Sequence, residues 1–217
     1  MNIFAVMYFD AHTHHVSAGR NSVIQYSSPI PAEGFFSVGI HPWQVENWSE
    51  EMETVSFLAK QSKCVAIGET GLDKHVTKDL SSQRKAFEAQ IILSEELELP
   101  LILHCVKSWP EVLETRKRLN PKQKWIFHGF SKYGLAKEVL KENILLSFGK
   151  SLILDPNSEI IMGSVPKDKI LLETDNSGLP IERIYGKASE ILGLEETQLQ
   201  EIITCNFKQT FAKWHIG

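Results

Sequence analysis

At 217 residues the chain is long enough to bury one sizeable core, and α/β barrels fall near this length or somewhat above it. With 42% hydrophobic and 23% charged residues it reads as an ordinary globular domain, which excludes long disordered arms, and a net charge of −4 argues against a strongly basic nucleic-acid coat. The 3 cysteines, Cys64, Cys105 and Cys205, form no CxxC pair and are odd in number, as expected of free thiols in a reducing compartment. No run approaches the roughly 20 apolar residues that span a bilayer. The apolar start, Met1 to Phe9, is too short for a signal peptide and has no basic leader. A cytoplasmic location is expected.

The run Ile3 to Phe9 reads as a buried strand ending in Asp10-Ala11-His12-Thr13-His14. Alternate side chains on a strand share a face, so Asp10, His12 and His14 are expected to project together, bringing two imidazoles to one point. Ser22 to Ser27 is a second strand, ended by Pro29 and Pro31, and Phe35 to Ile40 a third, followed by His41-Pro42-Trp43. Neither link has room for a packed helix. Ser49 is expected to cap a helix with acidic Glu50 and Glu51 in its first turn and Met52, Val55, Leu58 and Ala59 as its inner stripe.

From there strands and helices alternate: strand Cys64 to Gly68, helix Ser81 to Leu97, strand Leu101 to His104, helix Trp109 to Leu119, strand Trp125 to His128. A helix from Leu135 to Lys141, a strand from Ile144 to Phe148, a helix opened by Asp155-Pro156 and a strand from Ile170 to Glu173 continue the pattern. Helices around Glu182 to Leu192 and from Glu196 to Lys213 close the chain. Alternation of this kind implies right-handed crossovers and a parallel sheet. About eight strands close a TIM-type (β/α) barrel. The short early links predict a barrel trimmed of helices between its first strands. No repeat or linker divides the chain, so residues 1–217 are expected to form one domain.

Polar residues stand at the C-terminal end of strand after strand: His12 and His14, His41, Glu69, His104, His128 and Asp175. In a barrel all these ends open on one face, where active sites lie. Singly, each has a plain structural explanation: Glu69 and Asp175 as helix caps, His104 and His128 as core histidines. Together they have the ligand number and type of a two-metal site, with a carboxylate able to bridge the ions. His15, His75 and His215 lie in loop or terminal contexts.

The stretches Asp10-Ala-His-Thr-His14, Gly39-Ile-His-Pro42, Ala66 to Asp73, Pro100 to Cys105, Phe127 to Ser131, Leu171-Leu-Glu-Thr-Asp175 and Thr204-Cys-Asn206 follow one another across nearly the whole chain. In these the sequence resembles the TatD-type metal-dependent hydrolases, often called TatD deoxyribonucleases. The resemblance implies metal ligands at His12, His14, Glu69, His104, His128 and Asp175. Glu69 would bridge, His12 and His14 would hold one ion, His104 and His128 the other, and Asp175 would serve the first ion and the attacking water. His41 would face the substrate, Asp10 and Asp73 would anchor ligands, and Asn206 would be a structural hydrogen-bonder.

Two divalent ions per chain are therefore expected, from among zinc, manganese, magnesium and iron. The implied activity is a metal-dependent phosphodiesterase, a DNA exonuclease using a water activated by two metals, with Asp175 and Glu69 catalytic. DNA is the expected substrate, no membrane partner is expected, and a monomer is. The chain departs from the family pattern at Val106, where an arginine is usual. The following Lys107 is the candidate phosphate contact, as a point charge and not a bidentate fork. Trp43 likewise replaces a usual histidine. Val106 favours an alternative, a metal-dependent hydrolase of C-N or ester bonds in a small molecule; a non-catalytic metal-binding module is the third reading. Exposed Trp43, Trp48 or Trp109 near the mouth would offer a stacking surface for bases.

Overall fold

The computed structural model describes residues 7–214 except 17, 18, 20, 27, 28, 32 and 78. Eight parallel strands form a single sheet in sequence order: β1 (Asp10–Thr13), β2 (Ser22–Gln25), β3 (Phe35–Val38), β4 (Cys64–Asp73), β5 (Leu101–Val106), β6 (Trp125–Phe127), β7 (Leu145–Phe148) and β8 (Ile170–Leu172). The sheet closes where Thr13 bridges Asp175 in parallel register, so the fold is the expected TIM-type barrel. Among their described residues the links β1–β2 and β2–β3 contain no helix, leaving the barrel trimmed on that side.

Helices α1 (Trp48–Ala59), α2 (Ser81–Leu97) and α3 (Trp109–Leu119) follow β3, β4 and β5. After β6 come a 3-10 turn and the short α4 (Ala136–Lys141), and after β7 come α5 (Ser151–Leu154) and α6 (Asn157–Gly163). Helices α7 (Ile181–Leu192) and α8 (Glu196–Thr210) end the chain. Strands β4 and β7 are buried at every residue, as parallel strands covered on both faces must be. No described helix is long and apolar enough to cross a membrane.

Several boundaries differ from expectation. The ladder of β1 begins at Asp10, where the apolar run was expected to have ended; residues 3–6 of that run lie outside the described residues. Phe9 is fully buried, packing on Phe207 and Trp214 at centroid distances of 4.6 and 5.0 Å. Ser49 does not cap α1: it lies inside the first turn, and the Asn47 carbonyl accepts from Glu50 and Glu51 N–H instead. Strand β4 continues past Gly68 to Asp73 because the chain stays paired with β5 through a register shift between Ile67 and Thr70. Helix α5 was not expected, and α8 stops at Thr210, where the next residue, Phe211, leaves helical geometry to pack on Phe207.

Polar groups hold the seam between β8 and β1. Asp175 N–H donates to the His12 carbonyl at 2.9 Å and His14 N–H to the Asp175 carbonyl at 3.1 Å. Beneath them the buried Asp10 carboxyl accepts from Thr174 N–H at 3.0 Å and from the Thr174 hydroxyl at 2.6 Å. Burial pushes this carboxyl up to about 7, against the pull of those bonds. Asp10 therefore serves closure and does not join His12 and His14 at the site. Asp10→Ala leaves the buried N–H groups of Thr174 and His12 without that acceptor, while the Thr174 hydroxyl keeps Thr13 Oγ1 at 2.8 Å, and each stranded N–H costs about 1–3 kcal/mol. A lowered urea midpoint with an unchanged slope is expected; an unmoved midpoint would show that the seam closes without it.

Candidate metal centre

The site is built around one buried carboxylate. The register shift in β4 is a bulge: between the pairs Ile67–Leu101 and Thr70–Leu103 two residues, Gly68 and Glu69, are set against one, Ile102. Gly71 lets the two strands approach there: with φ at +140°, a Cβ at this position would meet the His104 carbonyl oxygen at 2.1 Å. Glu69 thus reaches the barrel mouth while remaining 4% exposed.

Five imidazoles surround it. His12 Nε2 lies 2.5 Å and His14 Nε2 3.1 Å from Oε1, and His41 Nε2 lies 3.2 Å from Oε2. His104 Nδ1 and His128 Nε2 follow at 3.9 Å each. Asp175 adds a second carboxylate, its Oδ1 3.5 Å from His14 Nε2 and 3.9 Å from His12 Nε2. Ligand atoms able to close on an ion fall into two groups that share Glu69: His12, Glu69, His128 and Asp175, and His41, Glu69 and His104. The six residues expected as ligands all lie around Glu69, but His14 falls in neither group, and His128 groups with His12 and Asp175 where it was expected with His104. His41, expected to face substrate, stands among them, and His128 lies between the groups, 3.5 Å from His104 Nδ1.

Behind the histidines sits a layer that sequence reasoning identified only in part. Asp73 Oδ2 accepts from His104 Nε2 at 3.2 Å and from the Trp43 indole at 2.7 Å, which leaves His104 Nδ1 free for a cation. Glu173, fully buried, accepts from Gly129 N–H at 2.6 Å and faces His128 Nδ1 at 3.6 Å. Its place beside Asp175 in the sequence gave no reason to separate its role. Two buried glutamines of α2 clamp the strand ends. Gln90 bonds both backbone groups of Ile40, next to His41, and Gln83 both those of Asp73. Seven positions apart, they share one helix face, and two glutamines in an apolar stripe were the available signal.

Asp175 does double duty. Its backbone closes the barrel while its side chain, 20% exposed, faces the opening. It holds a left-handed φ of 52°, a conformation that Asp and Asn tolerate better than most residues. Lys150, at the end of β7, reaches the cluster: its Nζ lies 3.8 Å from Asp175 Oδ2 and 3.0 Å from Asn176 Oδ1. Lys107 is exposed beyond β5 and does not line the cavity. That cavity, about 380 Å³, opens over the cluster between Tyr26, Trp43 and Asn176. A larger groove of about 560 Å³ between α1 and α2 lies on the outer helical layer and holds no ligand cluster.

The donor set fits divalent metal. It combines imidazoles with carboxylates, and neither group contains a cysteine. Burial raises the Glu69 carboxyl, but contacts with His12, His14 and His41 outweigh it and hold the group well below the usual carboxylate range. Burial likewise lowers the His128 imidazole, and the facing Glu173 and Glu69 carboxylates overrule it, raising it to about 9. The Glu69 contact raises His14. His104 is lowered by burial and by its neighbours His41 and His128.

The model of the TatD-related DNase family matches residues 12–212. A metal-dependent hydrolase of Bacillus subtilis, YabD, is 30% identical over 196 residues, covering 82% of this chain and 77% of that protein. A protein of Erwinia tasmaniensis named 3'-5' ssDNA/RNA exonuclease TatD is 33% identical over 148 residues, 64% of this chain and 56% of its own. Among solved structures, YJJV, a TatD homologue of Escherichia coli, superposes with a TM-score of 0.75 at 18% identity, covering 94% of this chain and 98% of that one.

Because His14 and His128 retain protons above the ordinary imidazole range, a metal ion must displace those protons to bind. Raised pKa values mean weaker apparent affinity near neutral pH and tighter affinity as pH climbs toward about 9. Calorimetric titration with manganese or zinc is expected to show roughly ten-fold tightening per pH unit for each proton displaced. Proton release should appear as buffer-dependent heat. A flat pH profile would place the bound ion elsewhere.

Proposed function

The chain belongs to the TatD-related DNase family of metal-dependent hydrolases, and on that premise we propose that it removes nucleotides from the 3' end of single-stranded DNA or RNA. The observation that carries the reading is the convergence of Glu69, Asp175 and five imidazoles at the open mouth of the barrel. The 3'-5' ssDNA/RNA exonuclease activity for which the Erwinia relative is named supports the substrate and the polarity.

Divalent ions held by His12, His14, Glu69, His104, His128 and Asp175 would supply Lewis acidity, lowering the pKa of water and offsetting charge on the phosphoryl oxygens. The protein's own groups do the rest. Asp175 faces the opening with one oxygen near His12 and His14, placed to take the proton of the attacking water. Glu69, shared between the two ligand groups, keeps them at a fixed separation. Asp73 and Glu173 hold His104 and His128 in orientation, so ligand geometry survives substrate entry. His41 stands on the cavity wall toward the substrate, while Lys150 and, further out, Lys107 attract the anionic strand as point charges.

The test is metal-stripped protein incubated with 5'-labelled single-stranded DNA, with manganese, magnesium or zinc added back one at a time. Asp175→Asn is the control, since Asn keeps the left-handed backbone while losing the proton acceptor. A ladder shortened from the 3' end is expected with metal, reduced by about 100-fold or more in the variant. Metal binding without shortening of any strand would overturn the reading and favour hydrolysis of small amides or esters.

A further inference from the structure

Of the tryptophans considered for stacking, the structure leaves one in position. Trp109 packs on Phe127 and Phe130 at centroid distances of 4.6 and 5.7 Å, and Trp48 packs against the hydrophobic core. Trp43 instead lines the cavity at its β3 edge and is 61% exposed. Large exposed aromatics are normally free to reorient, but this one is fixed. Its indole N–H donates to the buried Asp73 at 2.7 Å, and His41 and His104 meet its ring near the perpendicular, at 4.9 and 5.9 Å. Neither imidazole is stacked parallel on the indole.

A rigid exposed aromatic surface beside an anion-seeking centre has an obvious chemical complement, a flat π-system attached to a phosphodiester. We propose that Trp43 is the base-stacking platform of the site: the terminal unpaired base lies on its indole while the adjoining phosphodiester turns toward the divalent ions that the Glu69 and Asp175 cluster would hold. This rests on the reading of the substrate as a single-stranded nucleic acid, and it specifies how such a strand is chosen. Stacking is sequence-tolerant because every base has a π-face. A paired terminal base already stacks within its duplex and must be pulled out of it to reach the indole, so unpaired ends are preferred. The same indole bond ends on the carboxylate that orients His104, so the platform keeps a constant position relative to the ligand cluster.

The experiment compares metal-loaded wild type, W43A and W43F on oligonucleotides ending at the 3' side in thymine or in an abasic deoxyribose. W43A is expected to raise KM for the thymine-ended strand about 10-fold relative to the abasic-ended one. W43F, which keeps a ring but loses the N–H, should recover most of that difference. An equal effect on both strands, or W43F as poor as W43A, would overturn the proposal and leave Trp43 as a positioning residue for Asp73. Binding of a hydrolysis-resistant phosphorothioate strand to metal-loaded protein gives an independent readout, because a stacked base quenches indole fluorescence and the W43F substitution removes the part of that quenching due to Trp43. Quenching lost in W43F without strand shortening by the wild type would sink the nuclease reading while the platform stands. Shortening by the wild type without Trp43-dependent quenching would do the reverse.

Discussion

The structure turns on a carboxylate that is 4% exposed, Glu69, and on what has to surround it. An ionised group withdrawn from water costs several kcal/mol unless charges and hydrogen bonds replace its hydration. Here the replacement comes from imidazoles on β1, β3, β5 and β6, so the barrel must close in correct register for the charge to be tolerated. The bulge in β4, the close approach at Gly71 and the Asp10–Thr174 seam are three parts of that one requirement. The bulge would be a defect in a barrel that carried no site, whereas the seam is what any closed ring needs.

The protein surrounds the ligand shell with groups whose orientation is itself fixed. Asp73 and Glu173 set which ring nitrogen of His104 and His128 faces inward, and Gln90 and Gln83 pin the backbone at the ends of β3 and β4. Because both glutamines sit on α2, one helix indirectly aligns side chains from two strands. Such an arrangement suits a cation once His14 and His128 give up their protons, since the ligand side chains have little freedom left to lose.

The net charge of −4 does not oppose an anionic substrate, because steering depends on the local field and not on the sum. At the mouth, Lys150 approaches Asp175, and metal ions in the shared cluster would invert the local sign. On the proposed reading an aromatic wall would add recognition that salt does not screen, and the two tasks would be separate: charge would draw a strand in, and the ring would distinguish an end that is free to stack.

Much of this was legible in the chain itself. Strand and helix alternation, the absence of helices in the first links and the row of polar residues at strand ends follow from local pattern and barrel geometry, and they locate His12, His14, Glu69, His104, His128 and Asp175 on one face. Sequence pattern did not reveal which neighbour each would meet. Asp10 alternates with His12 and His14 yet closes the seam, because a bulged, twisted first strand does not preserve strict alternation. Glu173, Gln83, Gln90 and Lys150 act through partners 10 to 50 positions away, from Gln83 and Asp73 at the near end to Gln90 and Ile40 at the far end, and hydrogen bonds between different elements leave no local periodicity to read. Local composition and spacing determine which residues reach the mouth of this barrel. Only closure of the sheet decides their distances, because those depend on strand register and bulges set by the packing of the whole ring.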